Sequence, residues 1–265
     1  MQETGKPPRL SIIVPAFNRA DTLQADIGSL EEALRECEPS YEVLVVIDGG
    51  DEATLEAARR IDSDRVAIWH YPDNQGKGFA VMTGMLRARG SLVGFFDAGG
   101  DIDPSVWPIA IAEQRDSRAD IVVGSKRHRE SVVGYPIARS IYSIGYQLLT
   151  RVLFRINVRD TQVGIKLFRA DVIRAIAPRL LVKQFAFDIE LLALARHFGF
   201  TRISDVPVTI QYDFNSSISF TTVFRMLLDT LAVFYRLRLI RYYDRIDKTD
   251  AWQDRVDESP ATRVT

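Results

Sequence analysis

SLVGFFDAGGDIDP, residues 91–104, is the stretch on which the reading of this chain turns. An apolar run from Leu92 to Phe96 stops at Asp97, two glycines follow at 99 and 100, and then come Asp101 and Asp103. A short, unbroken apolar run rich in Val and Phe predicts a strand buried on both faces, as in a parallel sheet. Acidic groups just past the carboxyl end of such a strand stand where open α/β sheets bind ligands. The glycines allow a tight turn and close approach of backbone to ligand. Carboxylates so spaced can hold a hard divalent cation through oxygen. The same pattern also reads as an Asp- and Gly-rich turn.

Working outward, similar runs occur at 10–14, 43–47 and 66–70 before this stretch, and at 120–123 and 165–168 after it; 203–212 reads as extended, broken by Pro207. Between them apolar residues recur at helical spacing: Leu23, Ile27, Leu30 and Leu34, then Leu55, Ala58 and Ile61, then 79–89 and 191–198. Pro104 suits the first turn of a helix. This alternation predicts an α/β domain with a Rossmann-like, mostly parallel sheet flanked by helices. Parallel strands would deliver Pro15–Asn18, Asp48 and Asp97–Asp103 to one edge, where they can line one cleft. No GxGxxG follows the first strand, which argues against a dinucleotide fold. Gly76-Lys77-Gly78 lacks the glycine spacing and hydroxyl of a P-loop. Lys77 reads equally as a phosphate contact or a solvated helix-start lysine, and Asp48 as a ligand acceptor or a helix cap.

The chain has 265 residues, 46% hydrophobic and 26% charged, which suits one large soluble domain with or without an appendage. A formal net charge of −1 gives no support for nucleic-acid binding. A single cysteine, Cys37, excludes a disulfide framework and a cysteine-rich metal site. Residues 1–8 read as a loose leader without the pattern of a signal peptide. No run of about 18 uncharged apolar residues predicts a membrane-spanning helix.

The second half is less regular. Residues 126–129, KRHR, can meet an anionic phosphate or form a solvated loop. Residues 133–158 combine aromatics with Arg139, Arg151 and Arg155. Such a segment can lie on an anionic membrane or pack as a helix hairpin. Asp188 and Glu190 are two apart and do not share a helix face. Residues 219–243 predict one long helix with a broad apolar face, suited to a membrane interface or to self-association. From 244 the charged chain reads as a flexible tail. The expected organisation is a leader at 1–8, a catalytic domain at 9–218, amphipathic helices at 133–158 and 219–243, and a tail at 244–265.

Taken together, SIIVPAFN (11–18), YEVLVVIDGG (41–50), NQGKGFAVMTGMLRARG (74–90), FFDAGGDIDP (95–104), IVVGSKR (121–127), RDTQVGIKLFRAD (159–171) and FAFDIELLALA (185–195) resemble the GT-A, family 2 glycosyltransferases. The resemblance is greatest to the polyprenyl- and dolichyl-phosphate sugar transferases, dolichyl-phosphate β-glucosyltransferases above all, and it covers about residues 9–212. It implies a nucleotide-diphosphate sugar donor, glucose or mannose being the candidates, Mg²⁺ or Mn²⁺ as cofactor, and a polyprenyl (dolichyl) phosphate acceptor. Pro15, Asn18, Asp48 and Lys77 would bind the donor. Asp97 and Ala98 match the first two positions of the family's DxD; Gly99 stands where its second Asp is usual, so that Asp97 and Asp101 would share the metal. The family usually has Asn-Glu where this chain has Asn18-Arg19. Asp188 and Glu190 match its acidic pair, with Asp188 orienting sugar or acceptor. Arg127 and Lys166 would grip the acceptor phosphate. The resemblance further implies inversion at the anomeric carbon and peripheral attachment to the cytoplasmic face of a membrane. Two other readings stand beside it: a family 2 transferase extending a glycan at a hydroxyl, and a binding or scaffold protein that has lost catalysis.

Overall fold

The computed structural model describes residues 6–97, 99, 102–133, 137–156, 158–184, 186–210, 220–246 and 261–264; the side chains of 137–144 and 220–223 are outside the description. The elements run β1 (Leu10–Ala16), α1 (Leu23–Cys37), β2 (Tyr41–Asp48), α2 (Glu52–Arg59), β3 (Val66–Tyr71), α3 (Lys77–Met85), β4 (Leu92–Phe96), α4 (Val106–Ser117) and β5 (Ile121–Ser125). They continue as β6 (Val132–Val133), α5 (Ile137–Phe154), β7 (Ile165–Arg169), α6 (Ala170–Ile176), α7 (Phe187–His197), β8 (Ile203–Pro207), β9 (Thr209–Ile210), α8 (Phe220–Phe234) and β10 (Thr262–Val264).

Eight strands form one sheet in the order β10-β3-β2-β1-β4-β7-β5-β8. Every residue of β2 and β4 is buried, as their unbroken apolar runs predict. Alternate strand residues feed two cores, because successive side chains point to opposite faces. Ile13, Leu44, Val46, Val93 and Phe95 meet one core, with α3, α6 and α7. Ile12, Val14, Val43, Val45, Ile47 and Phe96 meet the other, with α1, α2 and α4.

The order reverses at β1: β2 and β3 lie to one side and β4 to the other, all parallel. A crevice opens outside the carboxyl ends of strands at such a reversal. One strand inside the sheet breaks the parallel pattern, as does β10 at its edge. β7 runs antiparallel between β4 and β5, pairing Phe96 with Ile165 and Phe95 with Lys166. The turn entering β7 therefore lies at the same edge as the end of β4.

Two expectations for the last third are corrected. The predicted helix over 219–243 is not continuous: α8 ends at Phe234, a π-helical turn covers Tyr235–Leu239, and Arg241 has φ +50°. The break returns Tyr243 to the interior, where it is fully buried and donates to a Glu190 carboxylate oxygen at 2.5 Å. The predicted tail is not loose at its end. Thr262–Val264 pair antiparallel with Ile68–His70 on the edge of β3. The Arg87 guanidinium stacks 4.5 Å from the centre of the Trp69 ring and reaches the Ala261 carbonyl, fastening that strand.

Candidate active site

The crevice between the ends of β1, β2 and β4 is a cleft of about 730 Å³. Pro15, Phe17 and Arg19 come from the end of β1, Asp48 from β2, Lys77 from the first turn of α3, and Asp97 and Gly99 from beyond β4. Lys126, Gln162, Val163, Gly164 and Asp188 line it from the second half of the chain.

Asp48 ends a strand and is 3% exposed, so its carboxylate needs donors. It accepts from the Gln75 N–H at 2.7 Å and the Gly76 N–H at 2.9 Å, fixing the turn that opens α3. That turn presents Lys77, whose ammonium contacts Asp97 at 2.7 Å and Asp188 at 3.8 Å. Burial opposes the charge on Lys77, but Asp188 and then Asp97 outweigh it, holding the pKa above the ordinary lysine value.

Asp188 lies in the first turn of α7 and is 4% exposed. Beneath it Lys166, 1% exposed, donates at 2.6 Å to its Oδ1 and at 2.9 Å to the Val163 carbonyl. Burial, resisted by Asp188, pulls the Lys166 pKa below the usual value. The ammonium groups of Lys77 and Lys166 lie 5.3 Å and 5.1 Å from the centre of the same Phe95 ring. Carboxylates and ammonium groups thus alternate as Asp97, Lys77, Asp188 and Lys166.

Asp97 is set by the β4–β7 ladder: its N–H donates to the Gly164 carbonyl at 2.8 Å. A Cβ at Gly164 would fall 2.0 Å from Asp97 Oδ2, so only glycine leaves room for the carboxylate there. Gly164→Ala is expected to displace Asp97 and lower kcat/KM about 10²-fold, as misplacement of a reacting group by about 1 Å does. The thermal midpoint would stay near wild type, and a kcat/KM within twofold would deny that the contact matters.

Asp97 Oδ2 is taken by Lys77, while Oδ1 is buried and has no hydrogen-bond partner among the described residues. A carboxylate oxygen left without a donor fits a hard cation. No three acidic, histidine or cysteine side chains among the described residues could form a metal cage by themselves. Asp101, the second expected ligand, lies outside the described residues.

The other expected site residues divide. Pro15, Asp48, Lys77, Asp97 and Asp188 line the cleft. Asn18 does not; its Oδ1 accepts from the Asp51 N–H at 3.2 Å, at the start of α2. Arg127 bonds Gln147 on α5, while its neighbour Lys126 lines the cleft. Lys166 lies beneath Asp188 and outside the cleft wall. Glu190 is fully buried and accepts from the Leu181 and Val182 N–H groups and from Tyr243. Gln162, Gly164 and Phe17 were not singled out from sequence. The glycine between two apolar residues in TQVGIKLF was the available signal for Gly164.

The chain is similar to proteins of known activity. A dolichyl-phosphate beta-glucosyltransferase of Trichomonas vaginalis is 32% identical over 256 residues, 89% of this chain and 76% of that protein. Its namesake in Drosophila melanogaster is 34% identical over 207 residues; this match takes in 71% of the chain but only 63% of the fly protein. Among solved structures, mannosyl-3-phosphoglycerate synthase from Rubrobacter xylanophilus superposes with a TM-score of 0.67 at 17% identity, over 91% of this chain and 77% of that one. Glucosyl-3-phosphoglycerate synthase from Mycobacterium tuberculosis, solved with Mn²⁺, UDP and glucosyl-3-phosphoglycerate, gives 0.64 at 16% identity, over 86% and 79%. These likenesses bear out the GT-A architecture. Residues 11–177, which hold nearly all of β1 and the whole of β2 and β4 with Asp48, Lys77 and Asp97, match glycosyl transferase family 2, and the chain belongs to that family.

Proposed function

We propose that this protein transfers a hexose from a nucleotide-diphosphate sugar to a polyprenyl phosphate of the dolichyl kind. The relatives named for that reaction support it, since their likeness runs over most of the chain. The observation that carries the choice of acceptor is the state of Asp188. Its two oxygens face Lys166 at 2.6 Å and Lys77 at 3.8 Å. A sugar hydroxyl needs a base to take its proton, whereas this carboxylate has one oxygen hydrogen-bonded to the Lys166 ammonium and the other beside that of Lys77. A phosphate monoester arrives ionised, its second pKa being about 6, and needs no base.

In this reading Pro15, Phe17 and Asp48 receive the nucleoside, and Asp97 Oδ1 is the group that would hold a divalent cation. Bound there, the cation would neutralise charge on the departing nucleoside diphosphate. Lys77 supplies further positive charge to the same group. Asp188 orients the acceptor and the sugar. An acceptor phosphate oxygen forms the new bond to the anomeric carbon as the bond to the diphosphate breaks, inverting the centre. Lys126 lines the cleft and is the lysine we assign to the acceptor phosphate. The Mn²⁺ in the mycobacterial neighbour supports a divalent ion of this class.

No helix among the described residues is long and apolar enough to cross a membrane. A lipid acceptor calls for a face that can meet a lipid surface. α5 and α8 pack together through Phe154 and Phe234, with ring centres 6.1 Å apart, and through Tyr146 and Thr230 at 2.8 Å. Leu148 and Val152 on α5, and Phe224, Leu228 and Leu239 on and beyond α8, remain exposed. Arg155, Arg225 and Arg238 stand among them. Apolar residues mixed with arginines suit an anionic lipid surface. Leu228→Asp with Leu239→Asp is expected to lower flotation with anionic liposomes at least about tenfold, given about 1.5–3 kcal/mol per buried leucine. Unchanged flotation would remove this face from the account.

The function is tested by supplying polyprenyl phosphate, Mn²⁺ or Mg²⁺ and a panel of nucleotide sugars, with products read by mass. A sugar–phosphate–lipid product is expected. Transfer only to a sugar hydroxyl would overturn the reading.

A further inference from the structure

Arg19 follows the end of β1, and its position is fixed from the backbone. Its N–H donates to Thr54 Oγ1 at 2.9 Å, and Thr54 is in turn held by Asp51 at the start of α2. The side chain lines the cleft. The guanidinium covers Gly99, two residues past Asp97: a Cβ there would meet Arg19 Nη2 at 2.8 Å and Cζ at 3.0 Å. Gly99 also has φ +145°, which an L side chain rarely adopts. Any other residue at 99 would be strained and would compete with Arg19 for space.

Among the described residues, the acidic groups in the cleft are already partnered. Asp48 is taken by two backbone N–H groups, Asp97 by Lys77, and Asp188 by Lys166 and Lys77. The Arg19 guanidinium makes no hydrogen bond or ion pair with a described residue. A guanidinium fork over Gly99, unpaired among the described residues and two residues past Asp97, matches the geometry of paired phosphate oxygens.

We propose that Arg19 is a diphosphate-binding residue, giving this chain a grip on the nucleoside diphosphate that does not depend on a divalent cation. The inference rests on the glycosyltransferase reading of the cleft. Asp97 with its cation and Arg19 then hold the diphosphate together, with the guanidinium occupying space that a side chain at 99 would fill.

Calorimetry with the full chain tests it, using UDP and GDP as probes and uridine and guanosine as controls, in EDTA and in Mn²⁺. Wild type is expected to bind one diphosphate in EDTA within about tenfold of its affinity in Mn²⁺. Arg19→Ala is expected to lose at least about tenfold in EDTA, a loss of about one charged hydrogen-bonded contact. Arg19→Lys should recover part of it, and nucleoside affinity should not move. Arg19 is exposed, so these variants should fold, which thermal melting checks. Binding in Mn²⁺ but none in EDTA, or an Arg19→Ala protein equal to wild type in EDTA, overturns the role of Arg19 alone. No binding of either diphosphate in any condition overturns the nucleotide-sugar reading with it.

Discussion

Asp97→Ala is expected to abolish sugar transfer and leave the protein folded. The carboxylate stands where β4 ends, one oxygen on Lys77 and the other buried without a hydrogen-bond partner among the described residues. An unpartnered buried oxygen adds nothing to stability, and the ion pair is more than one-third exposed on both sides, so its loss should cost at most about 1 kcal/mol. The catalytic loss should be far larger. A cation that neutralises the leaving diphosphate is worth several kcal/mol of transition-state stabilisation, or about 10³-fold or more in kcat. Asp97→Asn should behave similarly, because it keeps the shape and removes the charge. Turnover with polyprenyl phosphate and nucleotide sugar, read beside a thermal melt, checks both. Activity within about tenfold of wild type would end the assignment of a metal to this residue.

Asp188→Ala should cost both stability and activity, for separable reasons. The Lys166 ammonium beneath it is almost wholly buried, and Asp188 is its only carboxylate partner within bonding distance among the described residues. Removing one member of a buried pair leaves an uncompensated charge, at a cost of about 3–5 kcal/mol. For a domain of this size that lowers the thermal midpoint by roughly 6–20 °C. Replacing the pair together, Lys166→Met with Asp188→Leu, should recover most of the midpoint, because the buried charge is gone. Transfer should stay down by about 10²-fold in both proteins, since neither has a carboxylate to position the acceptor. An unchanged midpoint in the single variant would show that Lys166 does not depend on Asp188. Recovered activity in the double variant would move Asp188 out of the mechanism.

Much of this architecture was legible in the residues. The apolar runs at 10–14, 43–47 and 92–96 had to be buried on both faces, and the groups that end them, Pro15, Asp48 and Asp97, do line one cleft. The direction of β7 was not legible. Ile165–Phe168 is apolar on both faces whichever way it runs, so nothing in its side chains says it is antiparallel. The role of Lys166 was obscured for the same reason. A lysine inside an apolar strand must find a counter-charge, but sequence does not say that the partner lies 22 residues on, in α7. Asp188 and Glu190 match the family's acidic pair, but two residues apart in one helical turn they face different ways, and the structure puts Asp188 at the cleft and Glu190 against Tyr243. β10 was missed because three residues in a charged segment carry too little pattern; its place comes from the free edge of β3.

The reversed strand has a mechanical consequence. Because β7 is laddered to β4 over five residue pairs and to β5 over three, the two sides of the cleft share one continuous hydrogen-bonded floor. Two lobes so welded cannot swing apart about a hinge between them, as lobes joined by a flexible connection do. Substrates must enter from above, and whatever shuts water out must come from the rim. The spacing between Asp97 and Asp188, set from opposite sides of that weld, should then be the same in the empty and the loaded enzyme.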